Sequence, residues 1–186
     1  MKEDKTMSIG MKRGTVFLEE HQPAWEESAR TVIADIRRAL DGLNADVQHI
    51  GSTAVKSVKA KPIIDIAVAV NDLDDVIARN EKLAESGIIF RFDERPCHLL
   101  YVKGDFEKDT RTHHIHVIPK GSEEWKNYLC FRDCLNENPG IAKEYEALKL
   151  ELCEKYGNDR NAYTNAKEDF IRRVTAEARK KYADKY

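Results

Sequence analysis

The sequence predicts an α+β fold: a small mixed β-sheet flanked by helices, with the helices of the C-terminal third packed on it. Three observations predict it. Ile63 to Val70 is nearly all aliphatic with Asp65 its sole charge, the pattern of a strand buried on both faces. Trp25, Ala29, Val32, Ile36, Leu40 and Leu43 recur at three- and four-residue steps, the period of an amphipathic helix. After Pro119 the strand patterns cease and helical ones take over.

The elements follow in order. Met1 to Arg13 is polar, lacks the apolar centre of a signal peptide, and reads as a flexible start. Thr15 to Leu18 is a short β-favouring run. Pro23 suits the first turn of a helix, which the apolar stripe carries to about Asp41. Val47 to Ile50 reads as a strand, broken by the turn at Gly51 and Ser52. After the buried strand, Leu73 to Ser86 is helical and Gly87 is its stop. Three strands follow, Ile88 to Phe92, His98 to Val102 and His113 to Ile118, with Gly104 and Asp105 turning the chain between the last two. Ser122 caps a helix whose first turn holds Glu123 and Glu124, placed for the helix dipole. Asn138-Pro139 opens the next helix, to about Tyr156. Asp159 caps the last, with Tyr163, Ala166, Phe170, Val174 and Ala178 on one stripe. The division is therefore a flexible segment 1–13, an α/β core 14–119, and a helical part 120–186 of the same domain.

Composition narrows the function classes. The 186 residues are 41% hydrophobic and 34% charged, enough apolar material for a core and too much for a disordered chain. A net charge of −2 lacks the basic excess of a general nucleic-acid binder, though it leaves room for a local pocket for a small anion. No run of about 18 apolar residues is present to span a membrane. Cys97, Cys130, Cys134 and Cys153 show no framework spacing, so reduced thiols in a cytoplasmic protein are expected. Cys130 and Cys134 share a helical face, but a zinc site there needs two further ligands.

The chemistry concentrates in His49-Ile-Gly-Ser-Thr53 and Lys61-Pro-Ile-Ile-Asp-Ile66. A strand that ends in Gly-Ser lets the backbone approach a phosphate, with hydroxyl and amides to bind it. A carboxylate in a buried strand is costly without a partner. Asp65 therefore pairs with a lysine or arginine, accepts backbone hydrogen bonds, or holds a metal. Farther on, His114 and His116 share a strand face, and Arg160, Tyr163 and Lys167 share a helical one. With Arg132 and Lys149 these either form a basic wall facing the Gly-Ser turn, matched to an anionic substrate, or make surface salt bridges.

Gly-Ser followed by an acid-bearing strand resembles the nucleotidyltransferase superfamily signature. More specifically, His49-Ile-Gly-Ser-Thr-Ala-Val55, Ala60-Lys-Pro-Ile-Ile-Asp-Ile66, His114-Ile-His-Val117, Gly121-Ser, Phe131-Arg-Asp133, Asp159-Arg-Asn-Ala-Tyr163 and Ala166-Lys167 resemble the GrpB family from about residue 15 to 175. The resemblance implies a nucleotidyltransferase-like fold. It implies a nucleotide or related phosphorylated small molecule as ligand, transferred or only bound, with Gly51, Ser52 and Thr53 at its phosphates. Lys61, Arg132, Lys149, Arg160, Tyr163 and Lys167 are the further substrate-binding positions, and Asp65 and His116 the catalytic ones. The superfamily holds divalent metal on two acids at alternate strand positions and a third on a later strand. Here Ala67 stands at the second, and the later strand offers histidines, so the expected site is one divalent ion, Mg, Mn or Zn, on Asp65, His116 and His49. Lys56-Ser57 replaces the Pro-Gly of the usual family pattern after Val55.

Three other readings compete. A nucleotidyltransferase fold without its metal acids would serve only as a nucleotide- or small-anion-binding module, and Ala67 favours this. A histidine-triad nucleotide hydrolase would need a third histidine where Thr112 stands. A P-loop kinase is excluded, because Gly51 to Ser57 lacks the second glycine and the spacing.

Overall fold

The computed structural model describes residues 9–91 and 95–186. Its chain order is β1 (Met11–Lys12), α1 (Pro23–Ala39), β2 (Asp46–Ile50), a 3-10 turn (Ser52–Ala54), β3 (Ile64–Val70), α2 (Asp74–Ile77) and α3 (Asn80–Glu85). It continues β4 (Ile89–Arg91), β5 (Leu99–Lys103), β6 (Thr110–Arg111), β7 (His113–Pro119), α4 (Glu123–Glu137), α5 (Pro139–Tyr156), α6 (Arg160–Asn165) and α7 (Glu168–Lys181). The main sheet has the order β2-β3-β7-β5-β4, with β3 and β7 parallel and the other pairs antiparallel. This is the α+β arrangement expected: a mixed sheet, a helix layer on each face, and the C-terminal helices packed on one of them.

Strand alternation sorts the residues. Ile64, Ile66, Val68 and Val70 of β3 face one side with Ile115 and Val117 of β7, against Trp25, Val32 and Ile36 of α1. Ala67, Ala69 and Ile118 face the other side, against Trp125 and Leu129 of α4. Each fully buried aliphatic side chain contributes about 1.5–3 kcal/mol, so this two-sided core holds the central strands in register. Asp65, His114 and His116 belong by the same alternation to the α4 side.

Several expected boundaries move. Met11 is buried and β1 pairs with β6, so part of the segment read as a flexible start belongs to the fold; residues 1–8 lie outside the described residues. Thr15 to Leu18 forms no strand. Val16 donates its amide to Gly157 O at 2.8 Å and packs with Leu152 and Tyr163, and only Glu19 bridges to Ala60. Here tertiary packing overrides β propensity. The helix expected over Leu73 to Ser86 breaks into α2 and α3, and the last expected helix into α6 and α7. Ser122 and Asp159 cap as read, accepting from Trp125 N at 3.3 Å and Ala162 N at 2.9 Å. Strand β4 begins at Ile89; Phe92, its expected end, lies outside the described residues.

Candidate functional site

The turn after β2, the start of β3, strand β7 and helices α4 to α7 enclose a cavity of about 600 Å³. Gly51, Ser52, Lys61, Asp65, His114 and His116 line its sheet side; Tyr145, Lys149, Tyr163 and Lys167 line its helical side. Gly51 has φ +73° and ψ −171°, a conformation open essentially to glycine alone. It passes so close to Asp65 that a Cβ there would stand 2.6 Å from Oδ2.

Hydrogen-bond logic assigns the imidazole tautomers. Arg160 is purely a donor, so at 3.2 Å its Nη2 donates to Nε2 of His114. His114 therefore carries its proton on Nδ1, 3.3 Å from Asp65 Oδ1. By the same argument Arg95 donates to His98 Nε2 at 3.0 Å, and the Nδ1–H of His98 faces Glu124 Oε1 at 3.2 Å. His98 Nε2 also lies 3.1 Å from His116 Nδ1. The Nε2 of the neutral His116 imidazole lies on the cavity wall, 3.9 Å from Asp65 Oδ1. Burial lowers the His116 pKa against the opposing pull of Asp65, which keeps this neutral form at pH 7. Burial alone would raise the Asp65 carboxyl, but its contacts with His114 and His116 outweigh that and hold it well below the usual carboxylate range. Glu124 is likewise pulled down to about 2, its burial outweighed by contacts with His98, Tyr128 and Arg95.

The opposite wall is cationic. Lys61 Nζ lies 5.2 Å and Lys167 Nζ 4.5 Å from the centroid of the Tyr163 ring, a cation–π arrangement. Neither amine has a hydrogen bond or ion pair among the described residues. Lys149 lies 4.5 Å from the Tyr145 ring centroid and donates to Lys59 O. Burial, together with the neighbouring cations, pushes Lys61 down to about 8 and Lys149 and Lys167 to about 7, against the pull of nearby carboxylates. The Tyr163 hydroxyl is buried with no hydrogen-bond partner among the described residues.

The structure thus brings together Gly51, Ser52, Lys61, Asp65, His116, Lys149, Tyr163 and Lys167, with Arg160 behind His114. It separates three others. His49 stands opposite Ile66 rather than Asp65 in the β2–β3 register, so it points to the α1 side, bonding Thr53 Oγ1 at 3.0 Å. Thr53 is buried and holds that imidazole and Ile63 O, not the cavity. Arg132 clamps the edge of β2, donating to His49 O at 3.1 Å and Gln48 Oε1 at 3.2 Å while pairing with Asp133 at 2.7 Å. His49 and Arg132 line a second, shallower hollow of about 370 Å³ beside α1.

As arranged, the donors do not fit a divalent metal. Both nitrogens of His114 are engaged, Asp65 Oδ2 is packed against Gly51, Ala67 supplies nothing, and Arg160 and the lysines add positive charge. Among the described residues no group of three or more His, Cys, Asp or Glu is placed to hold a metal. Thr112, at the missing position of a histidine triad, donates its hydroxyl to Lys103 O instead. The four cysteines are free, and Cys130 and Cys134 pack with Val174 and Ala178 in an apolar cluster.

Sequence reasoning missed Tyr145, Glu124, His98, Arg95 and Tyr128. Tyr145 had a signal, since it lies four residues before Lys149 on α5 and so shares its face. Glu124 read as a dipole-favoured helix start but serves His98 and Arg95.

The family profile described as "GrpB protein" matches residues 15–177. The chain belongs to the GrpB family. The "Glutamate-rich protein GrpB" of Alkalihalophilus pseudofirmus is 37% identical over 174 residues, covering 91% of this chain and 99% of that protein. The crystal structure of the conserved protein GrpB from Enterococcus faecalis superposes with a TM-score of 0.81 at 32% identity, covering 89% of this chain and 99% of that one. A protein named dephospho-CoA kinase from Mycobacterium tuberculosis is 27% identical over 172 residues, and the match spans 80% of this chain but 42% of that longer protein. No helix among the described residues is long and apolar enough to cross a membrane.

Proposed function

We propose that this GrpB-family protein binds a nucleotide or a related phosphorylated small molecule in the cavity, through direct contacts to its lysines and the Gly51-Ser52 turn. One observation carries the reading: Lys61 and Lys167 point into the cavity with no hydrogen bond or ion pair among the described residues, alongside Lys149. Cations drawn partly out of water in a cavity are normally paired. Their missing counter-charge is an anion of more than one charge, seated where the lysine and turn donors converge. Because the cations themselves neutralise the ligand, binding needs no divalent metal.

The test is a thermal-shift screen of nucleoside triphosphates, dephospho-CoA, sugar phosphates and pyrophosphate, with chelator and then with Mg²⁺, Mn²⁺ or Zn²⁺. A ligand at about 100 times its Kd stabilises by about 2.7 kcal/mol. A shift that persists in chelator supports the reading. Shifts seen only with a metal would replace it with the metal-dependent site.

A transferase reading is favoured by one further observation, the pairing of Asp65 with the neutral His116 imidazole on the cavity wall. A base so placed accepts a proton from an attacking hydroxyl. Under this reading His116→Gln abolishes turnover of a triphosphate while leaving its binding intact; unchanged turnover would remove His116 from the chemistry.

A further inference from the structure

Anion binding leaves one property of this cavity unexplained. An ammonium that only neutralises phosphate is best left able to hydrate and stay charged, as most lysines are. Lys167 sits instead at the junction of α6 and α7, on the face of a buried tyrosine, with Lys61 over the same ring and Lys149 and Arg160 close enough to repel its charge. Crowding a lysine against other cationic groups is one way proteins make it nucleophilic.

We propose that Lys167 is a carbonyl-reactive amine, and that the cavity takes a phosphorylated aldehyde or ketone, which Lys167 holds as a Schiff base. This rests on the phosphate-binding reading above, since the phosphate places the carbonyl. The step balances without an oxidant or reductant. The nitrogen lone pair of Lys167 adds to the carbonyl carbon, and the carbonyl oxygen takes a proton from the neighbouring ammonium of Lys61, giving a carbinolamine. The nitrogen gives up one proton to Lys61, which passes it to the hydroxyl oxygen; this leaves as water while the nitrogen lone pair forms the C=N bond, giving the protonated Schiff base and a neutral Lys61.

Three features single out Lys167. Lys149 is almost wholly inaccessible and its amine is tied to Lys59 O. Lys61 lies on β3's approach and farther from the Tyr163 ring, at 5.2 Å against 4.5 Å for Lys167. Lys167, free of hydrogen bonds among the described residues, is held near neutrality in its proton affinity, at about 7. The groups that face it are Lys61, Lys149, Asp65 and Arg160, with Tyr163 beneath and Glu168 on the cavity rim.

The test uses pyridoxal 5′-phosphate, which carries both an aldehyde and a phosphate, with borohydride trapping and peptide mapping of the full chain. Trapping is expected at Lys167, suppressed by excess pyrophosphate, lost in Lys167→Arg, and at least about tenfold weaker with pyridoxal lacking the phosphate, as loss of one charge-assisted contact predicts. Trapping at Lys61, or at surface lysines without protection by pyrophosphate, would overturn the proposal. Calorimetry of pyrophosphate on the same preparation separates the two readings. Binding without trapping removes only the Schiff base, whereas absence of binding removes the phosphate site itself.

Discussion

The Cα of Gly51 lies against the carboxylate of Asp65, leaving no room for a side chain between the Gly-Ser turn and the acid-bearing strand. The ψ of −171° beside φ +73° makes the same demand independently. Gly51→Ala should therefore lose about 1–3 kcal/mol from backbone strain alone, before the carboxylate is displaced. Thermal denaturation reads this loss, and a variant as stable as the parent would show that the turn does not press on Asp65.

Tyr163 makes a prediction of opposite sign for stability. Its buried hydroxyl has no partner among the described residues, so Tyr163→Phe removes an uncompensated polar group. Without ligand the variant should be as stable as the parent or more so. With pyrophosphate or a nucleotide bound, the parent should regain the advantage, because the hydroxyl then has an acceptor. A destabilised ligand-free variant in chemical denaturation would mean the hydroxyl is already satisfied.

The lysines set a pH dependence. Their ordinary value is 10.5, while the folded protein holds Lys149 and Lys167 at about 7 and Lys61 at about 8. Between about pH 7 and 10 the unfolded chain thus binds more protons than the folded one, so ligand-free stability should rise with pH across that window. Buried Tyr145, raised to about 12, reverses the slope above it. An anion favours the ammonium forms, so pyrophosphate affinity should fall over the same window. Calorimetry near pH 8 in buffers of different ionisation enthalpy should show proton uptake on binding. Proton release, or affinity that rises with pH, would contradict the assignment.

Arg132 separates structural cations from binding ones. It holds the edge of β2 through His49 O and Gln48 and does not line the main cavity. Arg132→Met should lower the melting temperature while leaving the pyrophosphate Kd of the folded protein unchanged. A weakened Kd in that variant would place the basic residue of Phe-Arg-Asp back in the site.

Much of this site was legible in the sequence because it is built from short-range geometry. Gly51-Ser52 ends a strand, Asp65 breaks an aliphatic run, and His114 and His116 sit two apart, so one face follows from alternation. Tyr163 and Lys167 could be grouped by helical spacing even though the helix breaks between them. What was not legible depends on register and tertiary packing. His49 looked like a ligand until the β2–β3 pairing set it opposite Ile66. Arg132 carries the right charge on the right helix, but α4 places it over the sheet edge. The His98–His116 contact joins the residue just before β5 to strand β7, and no local pattern announces it.

The central claim is that a phosphorylated anion binds directly to the half-buried lysines of the cavity. Isothermal titration calorimetry of pyrophosphate in chelator, comparing the parent with Lys61→Met and Lys167→Met, tests it most directly. Each charge-assisted contact is worth about 1.5–3 kcal/mol, so each variant should bind about ten- to a hundredfold more weakly while folding normally by circular dichroism. Binding unchanged in both variants, or absent from the parent until a divalent metal is added, would contradict the account.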